Sequence, residues 1–578
     1  MIDTCPGRCQ IGKGSIPKMK MKKTTRIVLS VILGTVLTGL YYYLVLPPLN
    51  VHSTGFWISL LLIMLFYGIP LGLVRLSLPH GAGGVGRFAK TTPDKAEKKS
   101  VGSKVFLVAL AIPVAVLAIG GLLSSTFFNA HKYASVASVT EAAFSEDMPE
   151  ADVVSNISLM DTESAQIIGN RALGSLSDVV SQYELSYTYN QINYQGTPKK
   201  VANLEYVDLF RWLNNASVGV PGYVMVDPVN NTAEYIRFDK PLKYVDSAYL
   251  GDDLMRKLRF SYPTKIFGTV NFEIDEAGNP WFVVSCMAPR VGLFGAMDVS
   301  EVILFNPCDG SSQLYAVADT PAWIDNVYNG YLACEKYDWY GTLSGGWWNS
   351  VIGNKGCKQT TDNFGYIVLG DDVWYFTGVT SVTGDESNIG FIISNARTGE
   401  YKYYPVVGAE EYSAMKAAEG EVQEKGYVAS FPSLINVSGQ ATYIMVLKDA
   451  GGLVKLYALV NVENYGIVAT GATQTEAKRA YLDLLVQKGL VEGAEIPEQV
   501  ENRSQVTVMD VRLAVLNGQT VAYLTGDDGH VYKGFLDEDE TLILVRANQT
   551  LSLTWVEGDH PSIRILKGWA TLKYDGES

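Results

Sequence analysis

The stretch "GYVMVDPVNNTAEYIRF" (residues 222–238) decides the fold, because a similar stretch, "GFIISNARTGEYKYYPV" (residues 390–406), occurs further along the chain. Each is typical of two strands joined by a polar turn. A helical pattern follows both, and then "FSYPTKIFGTV" with Pro263 matches "ASFPSLINVSG" with Pro432, each leading into a strand. This shared order of elements predicts a tandem duplication of one α+β unit.

The regions on either side of the repeats have their own patterns. Before them, Asp161 is predicted to cap an amphipathic helix. After them, short strands flank Asn517-Gly518, a hairpin signal, and predict a small β-barrel of the oligosaccharide-binding (OB) or SH3-like kind. The predicted α+β chain then divides into a basic tail with three transmembrane helices (1–128), an α/β membrane-proximal module (129–216), the first repeat (217–330), an aromatic- and glycine-rich connecting segment (331–388), the second repeat (389–487), a linker (488–504) and a small β domain (505–578).

Three apolar stretches near the N-terminus, residues 27–46, 56–74 and 105–128, contain no Asp, Glu, Lys or Arg. About 20 apolar residues cross a bilayer, so all three are predicted to be transmembrane helices. A cleaved signal peptide is the alternative interpretation of the first stretch. Because these stretches carry no Asp, Glu, Lys, Arg or His, they favour an anchor over a transporter or proton relay.

The charges predict how the chain is oriented in the membrane. Seven basic residues precede the first apolar stretch and seven more lie in the second loop, whereas residues 47–55 have none. Basic loops stay cytoplasmic, so the N-terminus is predicted to be inside and everything after about Asn129 outside. The chain as a whole has a net charge of −14, which argues against a nucleic-acid partner.

No catalytic motif was found in the sequence. A nucleophile–base hydrolase needs a histidine, and the predicted ectodomain has only His131, His530 and His560. Metal-binding and phosphate-binding signatures are also missing, so we expect neither a metal nor a cofactor. The acidic residues leave one enzymatic alternative open, a hydrolase that uses carboxylates in a cleft between the repeats.

The best candidate binding residues are the aromatic side chains of the connecting segment, Trp339, Tyr340, Trp347 and Trp348. Large aromatic rings between glycines could form a platform for a sugar, a peptide or a partner protein. The alternative is that these rings are buried where the two repeats meet.

Cysteines are present on both predicted sides of the membrane. Four fall in the ectodomain, and an even number in an oxidising compartment could form two disulfides. Buried free thiols are the equally weighted alternative. These four residues are Cys286, Cys308, Cys334 and Cys357.

The segments "TGVTSVTGDESNIGFIISNARTGEYKYYPVVGAEEYSAMKAAEG" and "YALVNVENYGIVATG" resemble a family of large membrane proteins from Gram-positive, clostridial-type bacteria, often labelled Tat-pathway signal proteins. The resemblance covers most of residues 222–485 and continues into the last β domain. It implies a membrane-anchored ectodomain and no particular activity. A Tat signal needs paired arginines, and Arg26 stands alone before the apolar stretch. Each repeat is also similar in element order to PepSY-type modules, extracytoplasmic domains linked to peptidase regulation and envelope sensing.

We therefore expect a non-catalytic, membrane-anchored protein of the cell envelope, whose ectodomain is a scaffold or sensor for an envelope protein or peptide. The alternative remains the envelope hydrolase. Clustered, inward-facing carboxylates with raised pKa in a pocket would favour the hydrolase. A broad apolar and aromatic surface would favour the interaction protein.

Overall fold

The structure is a computed structural model. It describes residues 23–71, 101–151, 158–174, 176–229, 231–361, 363–383, 387–492, 502–516, 519–536, 539–557 and 562–571. The predicted basic tail up to residue 22, most of the second basic loop, most of the linker and the Asn517-Gly518 turn lie outside the described residues. The chain divides into one unit of residues 1–123 with 259–265 and a second unit of residues 124–258 with 266–578.

The first unit contains three apolar helices: α1 (Lys23–Val45), α2 (Thr54–Gly68) and α3 (Val101–Leu123). Two segments, Ile27–Val45 and Gly102–Leu123, are long and apolar enough to cross a membrane. The described part of α2 has 15 residues and is therefore about 22 Å long. This length is less than the thickness of the hydrocarbon core of a bilayer, which is about 30 Å. The third span was predicted to reach residue 128, which was too long: α3 ends at Leu123, because the backbone of Ser125 is extended.

Residues 259–265 belong to this unit because they bind the loop that follows α1. The buried Arg259 guanidinium donates hydrogen bonds to the carbonyls of Leu46 (2.9 Å) and Lys265 (2.6 Å). In addition, the backbone N–H of Leu49 donates to the carbonyl of Pro263 at 2.7 Å. Charge-assisted hydrogen bonds to buried carbonyls are among the stronger ones in proteins, so this loop is firmly held.

The first half of the second unit contains two antiparallel sheets. In one, β2, β4, β5 and β6 are neighbours in that order and β3 also pairs with β4; the other is a meander from β7 to β10. Asp161 caps α6 as predicted, accepting a hydrogen bond from the N–H of Ser164 at 2.8 Å. The elements are α4 (Thr126–Ala134), β1 (Val139–Glu141), α5 (Phe144–Asp147), α6 (Thr162–Gly174), α7 (Ser177–Val180), β2 (Tyr183–Leu185), β3 (Asn190–Tyr194), β4 (Thr197–Tyr206), α8 (Leu209–Asn215), β5 (Val220–Asp227), β6 (Thr232–Leu242), α9 (Leu254–Ser261), β7 (Ile266–Ile274), β8 (Pro280–Val291), β9 (Gly295–Phe305) and β10 (Ser312–Ala316).

The second half also has two main sheets. In one, β1, β16, β15, β13 and β11 follow one another and β12 also pairs with β13; the other runs β18, β20, β21, β22, with β19 paired to β20. The elements are α10 (Gly330–Leu343), β11 (Lys358–Thr360), β12 (Gly365–Leu369), β13 (Asp372–Ser381), β14 (Ser387–Asn388), β15 (Gly390–Asn395), β16 (Tyr401–Tyr404), β17 (Gly408–Ala409), α11 (Glu411–Glu421), β18 (Val428–Ala429), β19 (Ser433–Val437), β20 (Gln440–Lys448), β21 (Val454–Asn461), β22 (Val468–Gly471) and α12 (Gln474–Gln487).

The two halves share part of their order of elements, although α8 and α12 have no counterpart helix among the described residues of the other half. In each, a hairpin (β5–β6 or β15–β16) leads to a helix and then to an antiparallel meander. The correspondence between the halves begins earlier along the chain than predicted. The β3–β4 hairpin of the first half also corresponds to the β12–β13 hairpin of the second half. The structure places β11, β12 and β13 of the predicted connecting segment in one sheet with β15 and β16. That these halves arose by tandem duplication stays a prediction.

A buried carboxylate holds the segment that joins the halves. Glu273 on β7 is fully buried and accepts hydrogen bonds from the N–H groups of Asp325 (3.0 Å) and Asn326 (2.9 Å). The Asp325 carboxylate in turn accepts from the N–H of Asn193 at 2.7 Å. The next two N–H groups along this segment donate to the carbonyl of Ala396 in the second half. One short segment is therefore bonded to both halves.

The predicted C-terminal barrel is confirmed. Five strands close in the order β23, β24, β25, β27, β26, and the β25–β27 pair is parallel. A helical turn, Glu540–Leu544, lies between β25 and β26. Whether this barrel is of the OB or of the SH3-like kind stays a prediction. The strands are β23 (Asn502–Leu516), β24 (Gln519–Gly526), β25 (Val531–Phe535), β26 (Thr550–Glu557) and β27 (Ile563–Thr571).

We predict that the Glu273–Asp325 pair makes the folded protein less stable as pH rises. Burial, and for Asp325 also the charge of Glu273, raises the pKa of both carboxyls. The folded state therefore holds these protons more tightly than the unfolded state, so the stabilisation is complete below about pH 4 and is lost as pH rises through the raised pKa values. We expect Asp325→Asn to weaken the dependence of the free energy of unfolding on pH, which urea unfolding at several pH values measures. Replacement of the exposed Asp319 by Asn is the control, and the same pH dependence in the two variants would contradict the prediction.

Candidate functional site

A cavity of about 330 Å³ lies in the second unit, where the β3–β4 hairpin of the first half faces the second half. Its volume is at the lower end of the range for small-molecule sites. The cavity lining combines aromatic rings with a few polar groups. Its lining includes Gln191, Lys200, Tyr331, Phe364, Tyr366 and Pro432.

The side chain of Lys200 is the unusual feature of this cavity. Lys200 lies on β4 and is only 2% exposed, although its ammonium lines the cavity. Burial lowers the pKa of this amine to about 8, an effect that the charge of Asp161 partly offsets. Its Nζ lies 5.1 Å from the centre of the Tyr366 ring, a cation–π distance. At neutral pH the cavity therefore contains a desolvated positive charge.

Lys200 differs from the other buried lysines of the described chain. Lys336 pairs with Asp298 at 2.9 Å and Lys448 pairs with Asp161 at 2.6 Å. Among the described residues, no hydrogen-bond acceptor or carboxylate partner lies within bonding distance of the Lys200 ammonium. A buried charge is normally compensated by a partner, so this one has capacity to bind another group.

Gln191 provides a second unsatisfied donor at the same place. It lies directly opposite Lys200 in the β3–β4 register and is 2% exposed. Its carbonyl oxygen accepts a hydrogen bond from Ser158 Oγ at 3.1 Å, but its amide nitrogen has no partner among the described residues. A buried donor without an acceptor costs about 1–3 kcal/mol, so the two unmatched donors together favour an acceptor ligand.

Aromatic residues of the second half form the opposite wall. Phe364 contacts Tyr331 edge-to-face at 5.1 Å and lies 6.0 Å from Tyr366. Of the lining residues, Tyr331 is exposed, whereas Pro432 is buried. Burial raises the pKa of Tyr366 to about 12, so its hydroxyl stays protonated. This wall can contact the face of a ring or an apolar group while Lys200 and Gln191 bind its oxygen atoms.

The carboxylate of Asp161 does not act as a general acid or base here. Burial raises its pKa, but the hydrogen bonds from Lys448 and Ser164 outweigh burial and keep the pKa below its usual value. Several other carboxyls have pKa values raised by burial, yet none of them lines the Lys200 cavity. Two of these, Glu273 and Glu411, accept backbone N–H groups, a structural role. The Lys200 cavity therefore provides no support for a hydrolase.

The four predicted aromatic binding residues do not form one surface. Trp339 and Trp347 are half-buried and pack against an apolar cluster on α4 and the β8–β9 turn, and Tyr340 is half-buried on α10. Trp348 is 66% exposed. The Trp347 and Trp348 rings lie at 79° to each other, so they do not make a flat stacking platform. Ligand binding by these residues stays a prediction.

Cys286, Cys308, Cys334 and Cys357 all lie in the second unit, and the structure joins none of these four described residues by a disulfide. Cys286 lies on β8 and Cys357 comes just before β11, both buried. Burial raises the pKa of Cys308 to about 11 and of Cys334 to about 12, so neither thiol is a ready nucleophile at neutral pH. None of the four lines the Lys200 cavity.

The chain matches no family model, and no curated protein shows significant similarity to it. Sequence reasoning missed Lys200 and Gln191, because a single lysine on a strand carries no motif. The one available signal was the pair Lys199-Lys200 before the apolar residues of "VANLEYV", because two successive residues of a strand point to opposite faces and one of these lysines would then point inward.

We predict that Lys200→Met increases the stability of the protein. Methionine has a similar length and removes a buried charge that lacks an ion-pair partner, so unfolding should become harder by on the order of 2–3 kcal/mol. Thermal or urea unfolding measures the change. Lys199→Met is the matched control, because Lys199 on the same strand pairs with Asp227 at 2.6 Å and should not stabilise when replaced. Destabilisation by Lys200→Met would mean that the lysine has a structural role.

Proposed function

We propose that this chain is a membrane-anchored, non-catalytic binding protein of the cell envelope, and that its ectodomain holds a small organic anion in the Lys200 cavity. The observation that carries the proposal is the buried Lys200 ammonium, which is without an ion-pair partner among the described residues. Its desolvated charge lowers the stability of the folded protein, and a bound anion would compensate that charge. Proteins retain such destabilising groups at sites where function requires them.

The cavity lining indicates the class of ligand. The ammonium and the Gln191 amide favour a carboxylate or a similar acceptor group. The rings of Phe364 and Tyr366 favour a flat apolar or sugar-like body attached to that group. A sensing role of this kind agrees with the proposed resemblance of the repeats to PepSY-type modules.

Binding of small carboxylates by the full chain tests this function. We expect benzoate or galacturonate to bind the wild-type protein and Lys199→Met, with loss of binding in Lys200→Met. The neutral analogues benzamide and galactose should not bind. Isothermal titration calorimetry in detergent measures all of these. Equal affinities in the wild type and Lys200→Met would contradict the proposal.

The same site predicts how affinity depends on pH. The anion binds the protonated amine, whose pKa is about 8 in the free protein. Affinity should therefore be constant below that pH and fall about tenfold for each pH unit above it. A profile that is flat between pH 7 and about pH 10 would show that Lys200 does not carry the interaction.

We further propose three membrane crossings with the ectodomain outside. The basic residues on the N-terminal side and in the second loop support this orientation. The hydrogen bonds from residues 259–265 to the loop after α1 support an external position for that loop, because the residues come from the proposed ectodomain. A reporter fused after Ser578 should be active outside the cytoplasm and one fused near Lys98 inside. External protease cleavage near Lys98 would overturn this topology.

A further inference from the structure

The residues just after α3 form an apolar surface with part of the predicted connecting segment. Phe127 on α4 contacts the Trp347 ring at 4.7 Å and lies 6.3 Å from Trp348, and Phe128 contacts Phe127 at 4.8 Å. Trp348 is followed by the π-helical turn Asn349–Gly353. We call this surface the aromatic patch; its exposed side chains are Phe127, Phe128, Trp348, Val351 and Ile352.

The large apolar side chains of the aromatic patch are much more exposed than large apolar side chains usually are. Trp348 is 66% exposed and Ile352 is 71% exposed, although both are large and apolar. Trp347 beneath them is half-buried and packs on the cluster that includes Tyr133 and Leu343. The base of the patch is therefore packed against the protein while its outer face has no protein cover among the described residues. Exposed contiguous apolar surface of this kind marks a binding face.

The first residue of the second unit is held firmly beside the apolar cluster that includes Tyr133 and Leu343. Ser124, the residue after α3, is buried, and its Oγ accepts hydrogen bonds from the N–H groups of Leu293 (2.8 Å) and Phe294 (3.1 Å). Its carbonyl accepts from Tyr133 Oη at 2.8 Å. Gly292 has a φ of +58°, and a Cβ there would collide with the Ser124 side chain. The chain therefore enters this unit at a fixed point beside the patch.

We propose that the aromatic patch inserts into the lipid headgroup layer of the membrane that α3 crosses. Phe127 follows Leu123 by four residues, which span at most about 14 Å of extended chain. Where α3 leaves the bilayer, the first surface that these rings meet is the lipid interface. Trp and Phe are the side chains that favour this layer, and interfacial segments bury their apolar faces about 5–10 Å deep in it.

This occupant explains the composition of the patch better than a protein would. The rings are tilted edge-to-face rather than arranged around a groove, and the aliphatic side chains of Val351 and Ile352 stand beside them on one short turn. A fluid layer accepts such an irregular apolar surface without shape complementarity. Lys355 follows three residues later and is exposed, which favours lipids with anionic headgroups. The patch would fix the ectodomain against the membrane in addition to the helices.

Photocrosslinking of the full chain in vesicles of phosphatidylcholine and phosphatidylglycerol tests the inference. p-Benzoylphenylalanine is placed at Ile352, at Ile112 within α3, and at the exposed Tyr187 as the control. We expect lipid adducts, detected by mass spectrometry, at positions 352 and 112 in similar yield, and about tenfold less at 187. All three variants replace exposed side chains, so folding should be retained, and a thermal midpoint equal to that of the wild type checks this.

The other outcomes separate this inference from the membrane anchor on which it rests. Lipid adducts at 112 but not at 352 would overturn the patch inference and leave the anchor intact. No lipid adduct at 112 would overturn the anchor and the patch together. Adducts at 352 to a second copy of the chain would assign the patch to self-association and overturn lipid insertion. As a second measurement, quenching of tryptophan emission by brominated phosphatidylcholine should decrease in Trp348→Phe, and unchanged quenching would count against insertion.

Discussion

The arrangement of the two halves depends on the buried carboxylate of Glu273. A carboxylate in the interior is costly unless donors surround it, and Glu273 has the N–H groups of Asp325 and Asn326 together with the side-chain amide of Asn326. These bonds hold the segment that connects the halves, and the following N–H groups continue to Ala396. The position of the second half relative to the first, and hence the cavity between them, follows from this bonded segment.

The other buried lysines of the described part of the second unit have ion-pair partners. Lys336 on α10 pairs with Asp298 on β9, and Lys448 pairs with Asp161 at the start of α6. Lys200 is the exception among the buried lysines of the described chain, and it lies in a cavity beside the unpartnered amide nitrogen of Gln191. A buried ammonium without an ion-pair partner and a buried amide without an acceptor thus lie side by side in this cavity. An inconsistency of this kind is expected where a protein binds something.

The sequence could predict features that depend on near neighbours. The hairpins of both halves, the cap at Asp161, the apolar helices and the closed barrel all appear where their periodicity or turn residues indicated. It could not predict the cavity, because Lys200 faces Gln191 through strand register and Tyr366 comes from the other half. It also could not show that Trp347 packs on Phe127, since these residues are distant in the chain.

By itself, then, the sequence determined the mixed α+β class, the small β-barrel at the C-terminal end, and two of the three predicted apolar helices as long and apolar enough to span a membrane. These follow from local periodicity, which each segment carries within its own residues. Only the tertiary structure decided which lysine lacks a partner, which tryptophan is exposed and where α3 ends. Burial and pairing are properties of neighbours brought together by folding, and no pattern along the chain specifies them.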